Sequence, residues 1–159
     1  NVDGVSTLQM AGAFASFGNK GYYNKPSTIV KVFNANGKEL VNIKAEPVKA
    51  MSEETAYLMT NVLKGVLTED GTSPNGKIPN FDMAGKSGSS TFDDTAYYNY
   101  GIDVVNSTKD SWMIGYTTDY TVAVWQGADV VDSAAKALSY DQAKTTQKSE
   151  SRFFFLLTW

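Results

Sequence analysis

Lys86-Ser87-Gly88-Ser89 gathers an ammonium, two hydroxyls and a glycine into four consecutive residues. Read as a strand, the segment alternates its side chains, so Lys86 and Gly88 share one face and Ser87 and Ser89 the other. Gly88 leaves the backbone bare, which lets a ligand lie close against it. With Ser90 following, cationic charge, hydroxyl donors and free edge N–H groups together form a receptor for an extended peptide ending in a carboxylate, by strand addition. A solvent-facing edge strand carrying Lys and Ser for solubility has the same composition, and four residues alone do not separate the two readings.

The residue types that are missing narrow the chemistry further. The 159 residues include no Cys and no His, which excludes disulfides, thiolate nucleophiles, Cys/His zinc sites and any Ser-His-Asp triad. Acid–base work falls to lysine, carboxylate or tyrosine, and no cofactor is expected. Fourteen Lys+Arg against 17 Asp+Glu give a net charge of −3. Arg152 is the one arginine. No basic stripe is present to neutralise phosphates, so nucleic acid is not an expected partner. Asp93, Asp94 and Asp103 lack the glycine and closing Glu of a calcium loop and read as solvated charge.

Elements that would position the Lys86 strand are legible on both sides of it. Hydrophobic residues at 42% and charged residues at 19% place the chain among folded domains, and one of this length buries roughly 68–70% of its unfolded surface. Ser6-Thr7-Leu8-Gln9 is a capping box, followed by Met10, Phe14 and Phe17 at helical spacing before Gly18. Residues 27–33 and 38–43 read as a hairpin turning at Asn34-Ala35-Asn36-Gly37. Ser52 caps a second helix whose Met59, Val62, Leu63, Val66 and Leu67 recur at helical spacing, ending near Gly71. A loop over 71–80 delivers the chain into a strand over 81–90. Residues 91–108 read as an inserted polar loop bearing Tyr97, Tyr98 and Tyr100. Residues 111–116 and 120–126 form a second hairpin with Trp112 and Trp125 as packing residues, and 133–147 a final helix. The order predicts an α+β fold: an antiparallel β-sheet flanked by helices.

The chain opens at Asn1 with no initiator Met and no signal-peptide pattern, which reads as a processed or internal piece. The domain is expected over 1–148. Residues 149–159 form a doubtful tail: the apolar run from Phe153 is too short for the ~20 residues of a membrane-spanning helix. It reads either as a docked last strand or helix turn, or as a truncated or out-of-frame end.

Several stretches resemble one family in order and spacing: Val5 to Ala15, Asn24-Lys25-Pro26, Thr68-Glu69-Asp70-Gly71-Thr72, Gly85-Lys86-Ser87-Gly88-Ser89-Ser90, Asp110 to Tyr116 and Tyr120 to Gly127. The chain resembles the transpeptidase domain of class A penicillin-binding proteins, its C-terminal half only. The family is similar to serine β-lactamases and carries three motifs, S-x-x-K, S-x-N and K-T-G. This chain supplies the last, with serine at both threonine positions. The resemblance implies the serine β-lactamase and D,D-transpeptidase fold, incomplete at its N-terminal side. It implies acyl transfer from a D-Ala-D-Ala stem peptide through a serine acyl-enzyme, and binding of β-lactams. In that scheme Lys86 belongs to the active-site hydrogen-bond network, Ser87 and Ser89 donate to the substrate carboxylate, and the Ser89 N–H completes an oxyanion hole. Gly88 and Ser90 line the same groove. Serine in place of threonine keeps each hydroxyl but loses the methyl that restricts χ1.

Two further matches fall at family-atypical places. Ser133-Ala134-Ala135-Lys136 fits S-x-x-K, and on a helix would set serine and lysine one turn apart, but it follows the K-S-G strand. The alternative is Ser133 as the cap of the last helix with Lys136 in solvent. Ser73-Pro74-Asn75 fits S-x-N within a proline-containing loop and reads as coincidence. The nucleophile and the S-x-N motif are then expected upstream of Asn1, in the missing half of the same domain, leaving this chain inactive alone. Tyr97, Tyr98 and Tyr100 read as an acceptor-strand or glycan platform, or as packing onto their own scaffold. The resemblance also implies an extracytoplasmic site, anchored to the membrane through the missing N-terminal segment. A serine β-lactamase or D,D-carboxypeptidase on the same fold, and a non-catalytic ligand-binding module, stay open as alternatives.

Overall fold

The computed structural model describes residues 4–44 and 46–146, together with the backbone of 155–158. Helix α1 (Thr7–Gly18) starts at the expected capping box, in which Ser6 and Gln9 exchange side-chain and backbone bonds. Strand β1 (Tyr22–Tyr23) and the hairpin of β2 (Lys31–Phe33) and β3 (Glu39–Asn42) follow, then β4 (Val48–Lys49), which pairs with β1. Helix α2 spans Glu53–Gly65, capped by the Ser52 hydroxyl on the Thr55 N–H. After a 3₁₀ turn over Pro74–Gly76 come β5 (Ala84–Ser90), α3 (Asp94–Tyr100), β6 (Ser107–Thr108), β7 (Asp110–Tyr116) and β8 (Tyr120–Gly127). A second 3₁₀ turn (Ala134–Lys136), β9 (Leu138–Ser139), α4 (Tyr140–Thr145) and β10 (Phe155–Thr158) complete the described chain.

The central sheet is antiparallel throughout, in the order β10-β8-β7-β5. Helix α1 lies on β7 and β8 through small residues: Ala11, Gly12, Ala15 and Ser16 are its buried positions. Small side chains let the helix approach the sheet closely, and Ala11 meets Ile114 and Ala123 there. Beside it, Leu63 of α2 packs with Ala84 and Tyr116, and the Phe14 and Phe17 rings cover that cluster edge-on and tilted. The core is therefore apolar helix faces on one side of a sheet, the expected α+β arrangement. Trp112 and Trp125 face each other across β7 and β8, with ring centroids 6.4 Å apart.

Three sequence expectations need correction. Helix α2 stops at Gly65, short of Gly71. There the chain folds back, with the Gly71 N–H donating to Thr68 and the Ser73 N–H to Val66. A side chain at Gly71 would put its Cβ 2.3 Å from the Val66 carbonyl oxygen, so the reversal needs glycine. The apolar spacing of the helix also overstates its buried face: Leu63 is buried but Val62 is 67% exposed. The 91–108 segment is not all loop. Asp93 caps α3 through the Thr95 N–H, and Gly101 ends the helix in the left-handed region at φ 67°; both signals stand in the sequence. Finally, 133–147 is not one helix. Ser133 makes no side-chain cap, whereas Ser139 and Gln142 form a capping box that starts α4 at Tyr140. Residues 147–154, including most of the doubtful tail, lie outside the described residues.

Candidate active site

Strand β5 ends the described sheet, with β7 its one partner there. Backbone polarity along it can be followed from one bond: the Ser90 carbonyl accepts from Lys109 N–H at 2.8 Å and Thr108 Oγ1 at 2.6 Å, on the β7 side. Backbone N–H and C=O groups of one strand residue point the same way and alternate along the chain. Lys86, Gly88 and Ser90 therefore pair with β7, and the N–H and C=O groups of Ser87 and Ser89 face the open edge. The Lys86 ammonium uses this edge, donating to the Ser87 carbonyl at 2.6 Å. One short strand thus presents the Lys86 ammonium and the Ser87 and Ser89 backbone groups to the same border, with the Ser87 side chain half-buried and that of Ser89 exposed.

The strand is held there by contacts across the sheet. Gly85 is sterically obligatory, since a Cβ would stand 2.6 Å from the Ile114 carbonyl oxygen. Gly88 is not: a Cβ there would meet Trp112 Cβ at 3.6 Å, ordinary contact. Nothing inside the described chain asks for glycine at 88, which fits a ligand-facing reason for its bareness. At the C-terminal end of the strand, Asp110 accepts from the Ser90 hydroxyl at 2.5 Å and from Trp125 Nε1 at 2.9 Å. A single carboxylate so fastens β5 to β8 across β7, and it turns Ser90 inward while Ser89 is exposed.

Ser73 is also part of this assembly. Its side chain is fully buried and its hydroxyl donates to Ser87 Oγ at 2.6 Å. Asn75, two residues on, is exposed in the 3₁₀ turn. Sequence reasoning sets Ser73 aside because loop residues carry no register. The usable signal is the Thr68–Gly71 reversal, which returns the chain beneath β5. Asp110 escapes notice for a related reason: its pairing with Ser90 is a matter of strand register.

Other candidate residues are engaged elsewhere. Lys136 pairs with Asp132 at 2.7 Å, and that bond holds the Asp132 carboxyl below its usual range. Ser133 stands in extended backbone ahead of the 3₁₀ turn that contains Lys136, and the Lys136 ammonium goes to Asp132, so no Ser–Lys pair forms. The Thr95 hydroxyl and backbone hold the Asp93 carboxyl low, and Asn106 does the same for Asp103. Both acids are spent on local turns, and Asp94 occupies the first turn of α3. Among the described residues no group of three or more His, Cys, Asp or Glu could hold a metal ion. Tyr97, Tyr98 and Tyr100 are 58%, 82% and 45% exposed, and the Tyr97 and Tyr98 rings meet edge to face with centroids 5.4 Å apart. Burial pushes the Tyr116 phenol up, and it shares a hydrogen bond with Thr60 at 3.0 Å, inside the core. It is not placed to act as a base.

Comparisons with known proteins bear on the family and the fold. The family model described as the penicillin-binding protein transpeptidase domain matches residues 3–151. Penicillin-binding protein 1A/1B of Bacillus subtilis is 38% identical over 146 residues, covering 92% of this chain and 16% of that protein. The chain thus spans about a sixth of the curated relative it matches. Among solved structures, the D,D-transpeptidase domain of a peptidoglycan glycosyltransferase from Eggerthella lenta superposes with a TM-score of 0.62 at 24% identity, over 90% of this chain and 31% of that one. Penicillin-binding protein 3 of Mycobacterium tuberculosis, complexed with aztreonam, gives a TM-score of 0.65 at 20% identity, over 90% and 34% respectively. These two likenesses establish the fold, and the same fold in one case accepts a β-lactam.

Proposed function

We propose a function that starts from kinship: this chain belongs to the penicillin-binding protein transpeptidase family. It forms the substrate-carboxylate side of a D,D-transpeptidase that cross-links peptidoglycan stem peptides outside the cytoplasmic membrane. The observation that carries the reading is the open edge of β5, where the Lys86 ammonium donates to the Ser87 carbonyl and nothing in the described chain pairs the Ser87 and Ser89 backbone groups. A stem peptide ending in D-Ala-D-Ala lies along this border as an added strand. Its terminal carboxylate accepts from the Ser87 and Ser89 hydroxyls within the positive field of Lys86. The Ser89 N–H donates to the oxygen of the scissile carbonyl as it becomes an oxyanion, a contact whose removal typically costs about 10²–10³ in rate.

The nucleophile is a serine of the upstream part of the parent domain. Its oxygen forms a bond to the penultimate D-Ala carbonyl carbon while the C–N bond to the last D-Ala breaks, and the proton lost by the serine hydroxyl goes to the departing amine. An amine of a neighbouring stem peptide then attacks the ester, forming the cross-link and returning the serine. β-Lactams occupy the donor position and stop at the first ester. Among the described residues no helix is long and apolar enough to cross a membrane, and the reading assigns any anchor to the upstream chain.

Exposed apolar surface on α2 fits a missing cover. Helix α2 turns Tyr57, Leu58 and Val62, each more than 60% exposed, away from the core. The upstream half of the domain packs on such surface in this reading.

Intact mass after incubation with benzylpenicillin tests the proposal, for this chain and for the chain extended upstream. One acyl adduct on the extended protein alone is the expected result. An adduct on this chain alone would move the nucleophile into it, with Ser133 the first suspect. No adduct on either would favour a non-catalytic binding module.

A further inference from the structure

Resting on that reading of the site, we propose that Ser73 is a positioning residue that aims the Ser87 hydroxyl at the substrate carboxylate. Ser87 stands where threonine would have a methyl group to restrict χ1, so its hydroxyl has no steric reason to prefer one rotamer. The structure supplies a different restraint. Ser73 lies fully buried beneath the strand, and its hydroxyl donates to Ser87 Oγ at 2.6 Å. A hydroxyl that accepts on one side must direct its own proton elsewhere, and on this inference that proton turns to the open border of β5. Accepting one hydrogen bond also strengthens the bond it donates, because chained hydroxyls polarise one another. Ser73 is itself fixed: its N–H donates to the Val66 carbonyl at 3.0 Å and its carbonyl accepts from Gly76 at 3.1 Å. The buried loop thus replaces with a hydrogen bond the orientation that a β-branch would give by steric means.

The test is a double-mutant cycle in the full-length parent protein, reading the second-order rate of acylation by benzylpenicillin. Losing one such hydrogen bond is expected to slow acylation about three- to tenfold in Ser73→Ala. In the Ser87→Thr background the added methyl holds the rotamer, so removing the Ser73 hydroxyl should cost about twofold or less. With the penicillin methyl ester, which lacks the carboxylate, the Ser73→Ala variant should react as fast as the unsubstituted parent. Thermal midpoints of all variants report folding; should Ser73→Ala fold poorly, Ser73→Cys, near-isosteric and a weak donor, is expected to show the same loss. Equal slowing in both backgrounds, or equal slowing with the ester, overturns the inference and leaves Ser73 a packing residue. Absence of acylation in the unsubstituted parent would instead overturn the transpeptidase reading.

Discussion

Strand β5 and the β2–β3 hairpin are both antiparallel ribbons, and they are held in different ways. Strand β5 is fastened from three directions: β7 along its length, α2 over Ala84, and the Ser73 and Asp110 side chains beneath and beyond it. The hairpin relies on its own turn. Asn34 Oδ1 accepts from Asn36 and Lys38 N–H groups, Gly37 takes φ 75°, and Lys31 pairs with Glu39 at 3.4 Å. Alternation places Val30, Val32, Val41 and Ile43 on one face, and all four are 38–63% exposed. A two-stranded ribbon of this kind is marginal in water by itself. The chain thus concentrates its packing on the strand that carries the hydroxyls and leaves the hairpin to local chemistry.

Substitutions should respond to that difference in graded fashion. Gly85→Ala drives a Cβ toward a backbone carbonyl that cannot yield, and urea unfolding should show a loss of about 2–3 kcal/mol. Asp110→Ala leaves the Ser90 hydroxyl and Trp125 indole without their partner; a loss of about 2 kcal/mol is expected, with reduced acylation of the parent protein as the β5 terminus loosens. Gly37→Ala meets open space but an unfavourable φ, so a strain of about 1 kcal/mol should appear as faster amide exchange within residues 27–44, with the global midpoint nearly unmoved. A larger global shift for Gly37→Ala than for Gly85→Ala would overturn the comparison. The smallest effect concerns acid. Asp93, held low by Thr95, contributes to the α3 cap above the unfolded aspartate pKa of about 3.9. That contribution is lost as pH falls through the lower folded value. Amide shifts of α3 followed from pH 5 to pH 2 should show this loss, and Asp93→Asn should abolish its pH dependence.

Legibility follows the range of the interaction concerned. The Ser6 capping box, the Asn-Gly hairpin turn and the short β7–β8 turn depend on residues within four or five positions of each other, and each is present. The Lys86-Ser87-Gly88-Ser89 strand is recognisable with its facial alternation. Helix ends and the 133–147 segment are misjudged from sequence, because alanine-rich propensity suggests a helix there while a competing capping box sets the start elsewhere. The three tyrosines stand out, but not the helix α3 that displays them.

Residue order alone sets the chemistry available: no thiol or imidazole, one lysine-and-serine strand with a bare glycine, and a family pattern around it. Local rules suffice for these, since residue type and near-neighbour spacing govern them. Packing is what puts Ser73 under Ser87, ties Ser90 to Trp125 through Asp110, and gives Lys136 to Asp132 instead of Ser133. Except for the last, these pairs lie 14 to 20 residues apart, and only strand register and the reversal after α2 bring them within hydrogen-bond reach. Register is a property of the packed sheet, fixed by which face is buried, and so belongs to the fold as a whole.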